Sequence, residues 1–126
     1  MIYVKVQGYD HLPSPEQRSV LNEVRAFYIA MNYQSEKWKR KRERILRRDG
    51  YQCQISRRYG KFVEAQVVHH IFPAEDYPEY EWSDWNLISV SLAVHNKLHI
   101  RDTRELSREG IDLMRRTARK RGLKLD

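Results

Sequence analysis

The chain has 126 residues and a mass of 15.3 kDa, a length typical of one domain with its own core. Lysine and arginine total 24 against 17 acidic residues, so the net charge is +7, which favours a polyanionic partner such as a nucleic acid or an anionic membrane surface. No apolar run is long enough to span a membrane, and the single cysteine excludes an internal disulfide and any zinc site built on two thiolates of one chain. We expect no secretion signal at the N-terminus and therefore a cytoplasmic protein.

The first elements are predicted from apolar spacing. Residues 2–6 alternate between apolar and other side chains, which predicts a short strand before Gly8. Ser14, Pro15 and Gln17 form a helix-start pattern, and the apolar stripe that follows predicts a helix over 15–32. We expect this helix to pack on the rest of the domain through four side chains: Val20, Val24, Phe27 and Met31.

Residues 36–48 predict a helix with a very basic surface that ends at Asp49 and Gly50. The segment carries eight basic and two acidic side chains, more positive charge than any other part of the chain. Such a run is usually a solvated helix face, but here we favour a face turned to nucleic acid, which would supply affinity without sequence information. The predicted DNA-binding residues are Lys37, Lys39, Arg40, Lys41, Arg44, Arg47 and Arg48, helped by Arg115, Arg116, Arg119, Lys120 and Arg121.

The middle of the chain is predicted to begin with a hairpin. Residues 51–55 and 63–71 have strand-like patterns, with a turn near 59–61 between them. The long acidic and aromatic segment 73–86 is expected to be held down by its own rings, and its carboxylates are expected to point away from a phosphate backbone. The rings are those of Tyr77, Tyr80, Trp82 and Trp85.

A short strand over 87–90 and a helix over 91–99 are predicted next. Ser107 then caps a last helix that runs to about Arg121. We expect Ile111, Met114 and Ala118 to form the apolar side of this helix.

Four of the five histidines fall in two pairs. His95 and His99 are four residues apart on the predicted helix, so they share a face and could bind one metal ion together. His69 and His70 are adjacent on a predicted strand and should point to opposite faces, so that one could ligate a metal while the other acts on a substrate. His11 is expected to be an ordinary polar residue.

The chain resembles the HNH (His-Asn-His) endonuclease family over about residues 38–100. The resemblance lies in four stretches, with the three letters of the family name on His70, Asn86 and His95. The doubled histidine and the His-x-x-x-His helix are similar to bacterial nuclease toxins, whereas the Arg-Asp-Gly-Tyr-x-Cys lead-in is similar to phage members. The stretches are Arg48–Cys53, Val68–Pro73, Trp85–Ile88 and His95–His99.

The resemblance implies an α+β fold with a small ββα-metal core, a two-stranded hairpin plus a helix, flanked by N-terminal and C-terminal helices. It implies one nuclease domain over 1–126, with an extension at 1–34, the nuclease core at 36–100 and a basic helix at 101–126. It also implies hydrolysis of double-stranded DNA to 5′-phosphate and 3′-hydroxyl ends around one divalent ion.

Roles carry over position by position. His70 would be the general base, for which an ordinary imidazole pKa suffices at neutral pH. His69, His95 and His99 would hold the metal, and Asn86 would fix the loop and so the orientation of His70.

Two departures from the family pattern affect the metals. Many phage relatives hold a structural zinc with two Cys-x-x-Cys pairs, but here the positions are Cys53 and Ser56, then Ser91 and Val94. We therefore expect no structural zinc and a Cys53 that is buried as a small apolar residue. His69 stands where many relatives have Asp, and the nitrogen-rich site leaves Mg, Mn, Zn and Ni open.

Two alternatives remain. The chain could be a non-catalytic DNA-binding module with a structural metal, although such a module needs no general base. It could also cut RNA, but no RNA-stacking motif is present. The sequence identifies no phage-packaging or host partner; a phage-encoded member would act in the host cytoplasm.

Overall fold

The computed structural model describes residues 34–125. The strand predicted over 2–6, the helix predicted over 15–32 and His11 lie outside the described residues. The division of the chain into an extension, a core and a C-terminal helix therefore stays a prediction.

Helix α1 spans Glu36–Arg48, as predicted. The Ser35 hydroxyl accepts a hydrogen bond from the Trp38 N–H at 3.1 Å and so caps the first turn. The chain leaves the helix at Asp49 and turns through Gly50, whose φ of +63° favours glycine. One side of α1 is apolar and buried, through Trp38, Ile45 and Leu46.

The predicted hairpin of 51–55 with 63–71 is wrong in its pairing. Gln52 and Glu64 form only an isolated antiparallel bridge, and helix α2 begins directly afterwards and spans Gln54–Arg58. Two backbone bonds flank the bridge, from Cys53 N–H to Val63 O and from Ala65 N–H to Tyr51 O. The alternating pattern of 51–55 is typical of a strand. In the structure, Cys53 is instead the residue directly before the first turn of α2.

The sheet is a two-stranded antiparallel hairpin of β1, Val67–His70, and β2, Leu87–Val90. The predicted strand over 87–90 is confirmed, whereas the strand predicted over 63–71 forms only in its last part. His69 pairs with Ile88 and His70 with Leu87. Because opposite residues of an antiparallel pair point to the same face, this register decides what surrounds each histidine.

The hairpin is buried on both faces. The face with His70 and Leu87 packs against α1, and the face with His69 and Ile88 packs against α2 and the helices that follow β2. On the first face the buried apolar side chains are Trp38, Ile45, Leu46, Ala65, Val68 and Leu87. On the second face they include Cys53, Ile71, Phe72, Ile88, Val90, Leu98 and Leu113.

The segment between the strands is held down by aromatic rings, as predicted. Tyr77, Tyr80 and Trp85 all lie edge-on to the buried Phe72, with ring centroids 5.1, 5.4 and 5.7 Å away. Two short 3₁₀ helices, Pro78–Tyr80 and Asp84–Asn86, give the segment its shape.

Helices α3, Leu92–Leu98, and α4, Arg108–Arg121, begin at the serine caps Ser91 and Ser107. Gly110 allows their close contact, since a Cβ there would lie 2.2 Å from the Leu98 carbonyl oxygen. The predicted apolar side of α4 is confirmed for Ala118, which is buried, and for Met114, which packs against the core while partly buried. Gly110 and Leu113 are also buried, whereas Ile111 is only partly buried.

The described residues thus form the α+β arrangement, a hairpin followed by a helix, that the resemblance implied. Within residues 34–125, each helix is too short or too polar to cross a membrane.

Candidate metal centre and active site

Three histidines converge on one point between β1 and α3. Each of His69, His95 and His99 offers a ring nitrogen, and these atoms all lie within 4.8 Å of one another. The ring centroids are 5.6 Å apart for His69 and His95, 5.1 Å for His69 and His99, and 4.8 Å for His95 and His99. Three imidazoles at this spacing match the ligand set of a divalent transition metal.

The backbone conformation that places His99 in the cluster differs from the prediction of a helix over 91–99. Helix α3 ends at Leu98, and His99 has extended backbone angles, with φ −119° and ψ 152°. A bridge between His99 and Leu106 holds it in place, and its ring still lies beside that of His95. The two side chains therefore meet at the end of α3 rather than along its face.

The environment of His69 fits a bound cation. The residue is 2% exposed, and its Nε2 is a buried polar atom without a hydrogen-bond partner in residues 34–125. Burial, and then the nearby rings of His99, His95 and His70, hold its pKa well below the usual value. A neutral imidazole with an unsatisfied nitrogen is costly in an apolar core and is satisfied by a metal ion.

The surroundings of His95 and His99 also suit metal binding. Burial, and then the charge of His99, lower the pKa of His95. The Arg104 carbonyl lies 3.1 Å from Nδ1 of His99, and because a carbonyl only accepts, Nδ1 carries the proton. The lone pair of His99 is then on Nε2, the usual arrangement of a metal-binding histidine with a backbone partner. The residues present fit one divalent metal ion.

His70 lies on the opposite face of the hairpin from His69, as strand alternation predicts. Its ring stacks on Trp38, with centroids 5.2 Å apart and planes at 18°. Its Nε2 donates to the Glu81 carbonyl at 3.0 Å, which puts the lone pair of the neutral ring on Nδ1. Burial lowers its pKa to about 4, with the Glu81 carbonyl acting in the opposite direction, so the ordinary pKa expected from the sequence is wrong.

Although His69 and His70 leave the hairpin on different faces, both line one cleft together with His95 and His99. Its volume is about 450 Å³, and it includes His69, His70, His95 and His99 in its wall. A phosphate group in this cleft would therefore be within reach of the three-histidine cluster and of His70.

Asn86 is completely buried, and within residues 34–125 its side chain bonds to backbone groups. Its Oδ1 accepts from the Phe72 N–H at 2.7 Å, while its Nδ2 donates to the carbonyls of Phe72 and Tyr80, each at 3.0 Å. These bonds tie the start of the connecting segment to its end. They place Glu81, one residue beyond Tyr80, where its carbonyl meets His70.

Most of the predicted DNA-binding cations of α1 already have partners within the chain. Asp84, whose pKa is lowered by Lys41 and then Arg44, binds both, the latter through contacts of 2.5 and 2.7 Å. Arg48 donates to the carbonyls of Asp84 and Leu87 and pairs with Asp49. The carboxylates of 73–86 were expected to point away from a phosphate backbone, but Asp84 lies against the α1 cations that were predicted to bind it.

The remaining α1 cations are more weakly engaged. Lys39 and Arg47 form exposed pairs with Glu36 and Glu43 on the same helix. Lys37 lies over the Trp82 ring, 4.0 Å from its centroid. For Arg40 no ion pair is found within residues 34–125.

The sequence did not point to Trp38 and Arg42 of α1 as residues of the histidine cleft. Both line it, and Arg42 donates to the Gln66 carbonyl at 3.2 Å. They lie four residues apart on α1, so a helical plot centred on the buried Trp38 would have placed Arg42 on the same side. Arg104, which pairs with Glu75 at 3.3 Å, also lines the cleft and has no signal in the sequence.

Of the four positions at which the resemblance would place a structural zinc, only Cys53 carries a thiol; the others are Ser56, Ser91 and Val94. Cys53 is fully buried in the core, as predicted. Burial raises the pKa of its thiol, but hydrogen bonds with Ser56 and Ser91 outweigh that effect and lower it overall. One thiol and two hydroxyls are a poor zinc ligand set, and the absence of a structural zinc stays a prediction.

The fold and the cluster together define a ββα-metal protein with a histidine-rich site. The chain is similar to the HNH endonuclease of the deep-sea thermophilic bacteriophage GVE2, whose crystal structure contains a manganese ion. The two are 30% identical, the TM-score is 0.53, and the match covers 67% of this chain and 88% of the phage protein. Neither the protein-family models nor the curated proteins give a match. On this similarity, the chain belongs to the HNH endonuclease family.

Proposed function

We propose that the chain is a metal-dependent endonuclease that hydrolyses phosphodiester bonds of double-stranded DNA. One observation carries the proposal: the imidazoles of His69, His95 and His99 converge in the cleft that His70 also lines, and the buried His69 Nε2 has no hydrogen-bond partner within residues 34–125. A purely structural metal site would not need a fourth histidine beside it.

His69, His95 and His99 would hold the metal ion. When bound, a divalent ion supplies Lewis-acid stabilisation of charge on the phosphate and on the leaving 3′-oxygen. Among Mg, Mn, Zn and Ni, three nitrogen ligands favour the last three, and manganese is the first to test because the similar phage enzyme holds it.

His70 would be the general base. Its pKa of about 4 keeps the imidazole neutral at pH 7, and the Glu81 carbonyl fixes the tautomer with its lone pair on Nδ1. Stacking on Trp38 limits the motion of the ring. Bound phosphate would raise the pKa of His70 towards neutrality, where a general base is more effective.

The positive charges near the cleft would position the substrate. Arg42 and Arg104 line the cleft and are the cations best placed to contact a phosphate oxygen. The α1 residues predicted from the sequence would add weaker contacts along the backbone, mainly through Lys37 and Arg40. Such contacts carry no sequence information.

The proposal is tested by incubating supercoiled plasmid with the protein and Mg²⁺, Mn²⁺, Zn²⁺ or Ni²⁺ in turn, with EDTA as the blank. We expect metal-dependent conversion to nicked or linear plasmid, lost in His70→Ala and kept in Lys97→Ala, an exposed neighbour of His95. DNA binding without cleavage in every metal would favour the non-catalytic module. Cleavage of RNA alone would favour the RNA-cutting alternative.

The expected location follows from the proposed substrate. We propose that the protein acts in the cytoplasm, that of the host if it is phage-encoded.

A further inference from the structure

A second cleft in the structure is lined by cations. Its volume is about 720 Å³, and its walls come from α2, α4 and the start of β2. Helix α2 contributes Arg57 and Arg58 to the wall, and α4 contributes Lys120 and Arg121. None of its lining residues belongs to the histidine cleft.

These four cations are not neutralised by the described part of the chain. None of them forms an ion pair within residues 34–125, in contrast to Lys41, Arg44 and Arg48 of α1. The acid in the cleft wall, Asp49, is already bound by Arg48 and by the Ser89 N–H at 3.0 Å. The cleft therefore carries a large positive charge.

Like charges are also held close together there. Partial desolvation, and then the charge of Arg116, lower the pKa of Arg58. Arg121 lies over the Trp85 ring, 4.3 Å from its centroid, which fixes its guanidinium at the cleft. Folding gains nothing from gathering cations without an acid, so the arrangement fits a site for an anion.

Aromatic side chains extend the cationic surface. The turn after α2 exposes Tyr59 at 78% and Phe62 at 82%, and Lys61 lies between them. Exposed rings beside lysine and arginine also occur on duplex-binding surfaces, where apolar side chains wedge between base steps in the minor groove. An isolated phosphate would use the cations but not the rings.

We propose that this cleft binds the phosphate backbone of a duplex DNA segment away from the bond that is cut. The inference rests on the proposed function for its choice of DNA as the polyanion. Ile71, Leu87 and Ile88 line the cleft, while His69 and His70 on the same hairpin line the histidine cleft. A duplex bound there is thus held by the rigid element that carries the proposed base.

The test measures binding of a labelled duplex by fluorescence anisotropy in EDTA, over a range of salt concentrations. EDTA separates this proposal from the proposed activity, since binding is read without cleavage. The variant is Arg57→Gln/Arg58→Gln/Lys120→Gln. The matched control, Lys97→Gln/Arg108→Gln/Lys124→Gln, removes the same charge at exposed positions that line neither cleft.

We expect the cleft variant to flatten the salt dependence by about 0.9 for each phosphate that it no longer neutralises, about two to three phosphates in all, and the control to change it little. Tyr59→Ala/Phe62→Ala should weaken binding without changing the salt slope. Equal slopes in the cleft variant and the control would overturn the proposal, because the weaker binding would then reflect net charge alone.

Two further outcomes are distinguishable. If the cleft variant keeps full DNA affinity but no longer binds phosphatidylserine vesicles, the cleft faces a membrane and the proposal is wrong. If the wild type binds DNA in EDTA with the expected cleft dependence but no metal supports cleavage, the cleft proposal stands and the proposed activity fails. Thermal melting of each variant shows whether it is folded.

Discussion

The two faces of the β1–β2 hairpin give two adjacent histidines, His69 and His70, different surroundings. On one face His69 is enclosed by His95 and His99, and its Nε2 has no partner in the described residues. On the other face His70 stacks on Trp38 and donates to the Glu81 carbonyl. A nitrogen without a partner suits a metal ligand, whereas an oriented ring with a fixed tautomer suits a base. Because consecutive strand residues point to opposite faces, His69 and His70 suit metal binding and proton transfer respectively.

The largest effect is expected from His70→Ala. Removing a general base costs about 10² to 10⁴ in rate, and because His70 lies outside the cluster, metal affinity should stay close to that of the wild type. Single-turnover cleavage and calorimetric titration with Mn²⁺ measure the two quantities separately. Loss of metal binding in this variant, with retention in His95→Ala, would exchange the roles of the two faces.

Removing a ligand from the other face should do the reverse. His95→Ala and His99→Ala should each weaken metal binding by at least about tenfold, since loss of even an outer partner of a ligand costs about 10–100-fold. Extra metal should partly restore cleavage. Titration of Mn²⁺ and Zn²⁺ into both variants checks this, with Lys97→Ala as the control. If His99→Ala binds the metal with wild-type affinity, His99 is not a ligand and only His69 and His95 remain as candidates.

Asn86 sharpens the comparison, because its bonds to Phe72 and Tyr80 fix the segment whose Glu81 carbonyl contacts His70. Asn86→Ala leaves the Phe72 N–H and the Phe72 and Tyr80 carbonyls without their partner, and we expect a loss of about 1–3 kcal/mol in the free energy of unfolding. Cleavage should fall more than metal affinity, since the Glu81 carbonyl shifts with the loop. Denaturant unfolding measures the first effect.

The same substitution at an exposed position is the control for Asn86. Asn96→Ala on α3 should change the free energy of unfolding by less than about 0.5 kcal/mol. If the two alanine variants unfold alike, the buried amide bonds do not hold the loop.

The accuracy of the sequence predictions depends on how local the controlling interactions are. Helix α1 was predicted with its bounds because its cap, periodicity and glycine stop lie within a few residues. The split of His69 from His70 needs only strand alternation. The pairing of β1 was wrong because the choice between 51–55 and 87–90 depends on burial of both strand faces, which lies beyond any local pattern.

The site shows the same limit. His95 and His99 were predicted to meet, although the cap geometry that brings them together is set by the distant Leu106. The stack of Trp38 on His70 joins residues far apart in the chain, and the Glu81 contact uses a backbone carbonyl, to which no side-chain pattern points. The ion pairs of Lys41 and Arg44 with Asp84 also join distant parts of the chain and could not be predicted from a local pattern.

The smallest expected effect concerns α1, which packs on the His70 face. Asp84→Asn removes the carboxylate that engages Lys41 and Arg44. Because the Asp84 and Arg44 side chains are about half or more exposed, the free energy of unfolding should change by about 1 kcal/mol or less. The released cations should bind phosphate, so the salt dependence of DNA binding in EDTA should become steeper. Anisotropy titrations of Asp84→Asn beside Glu79→Gln, an exposed acid of the same segment, provide the measurement. If the salt dependence of DNA binding is the same in both variants, the Lys41 and Arg44 side of α1 does not contact DNA.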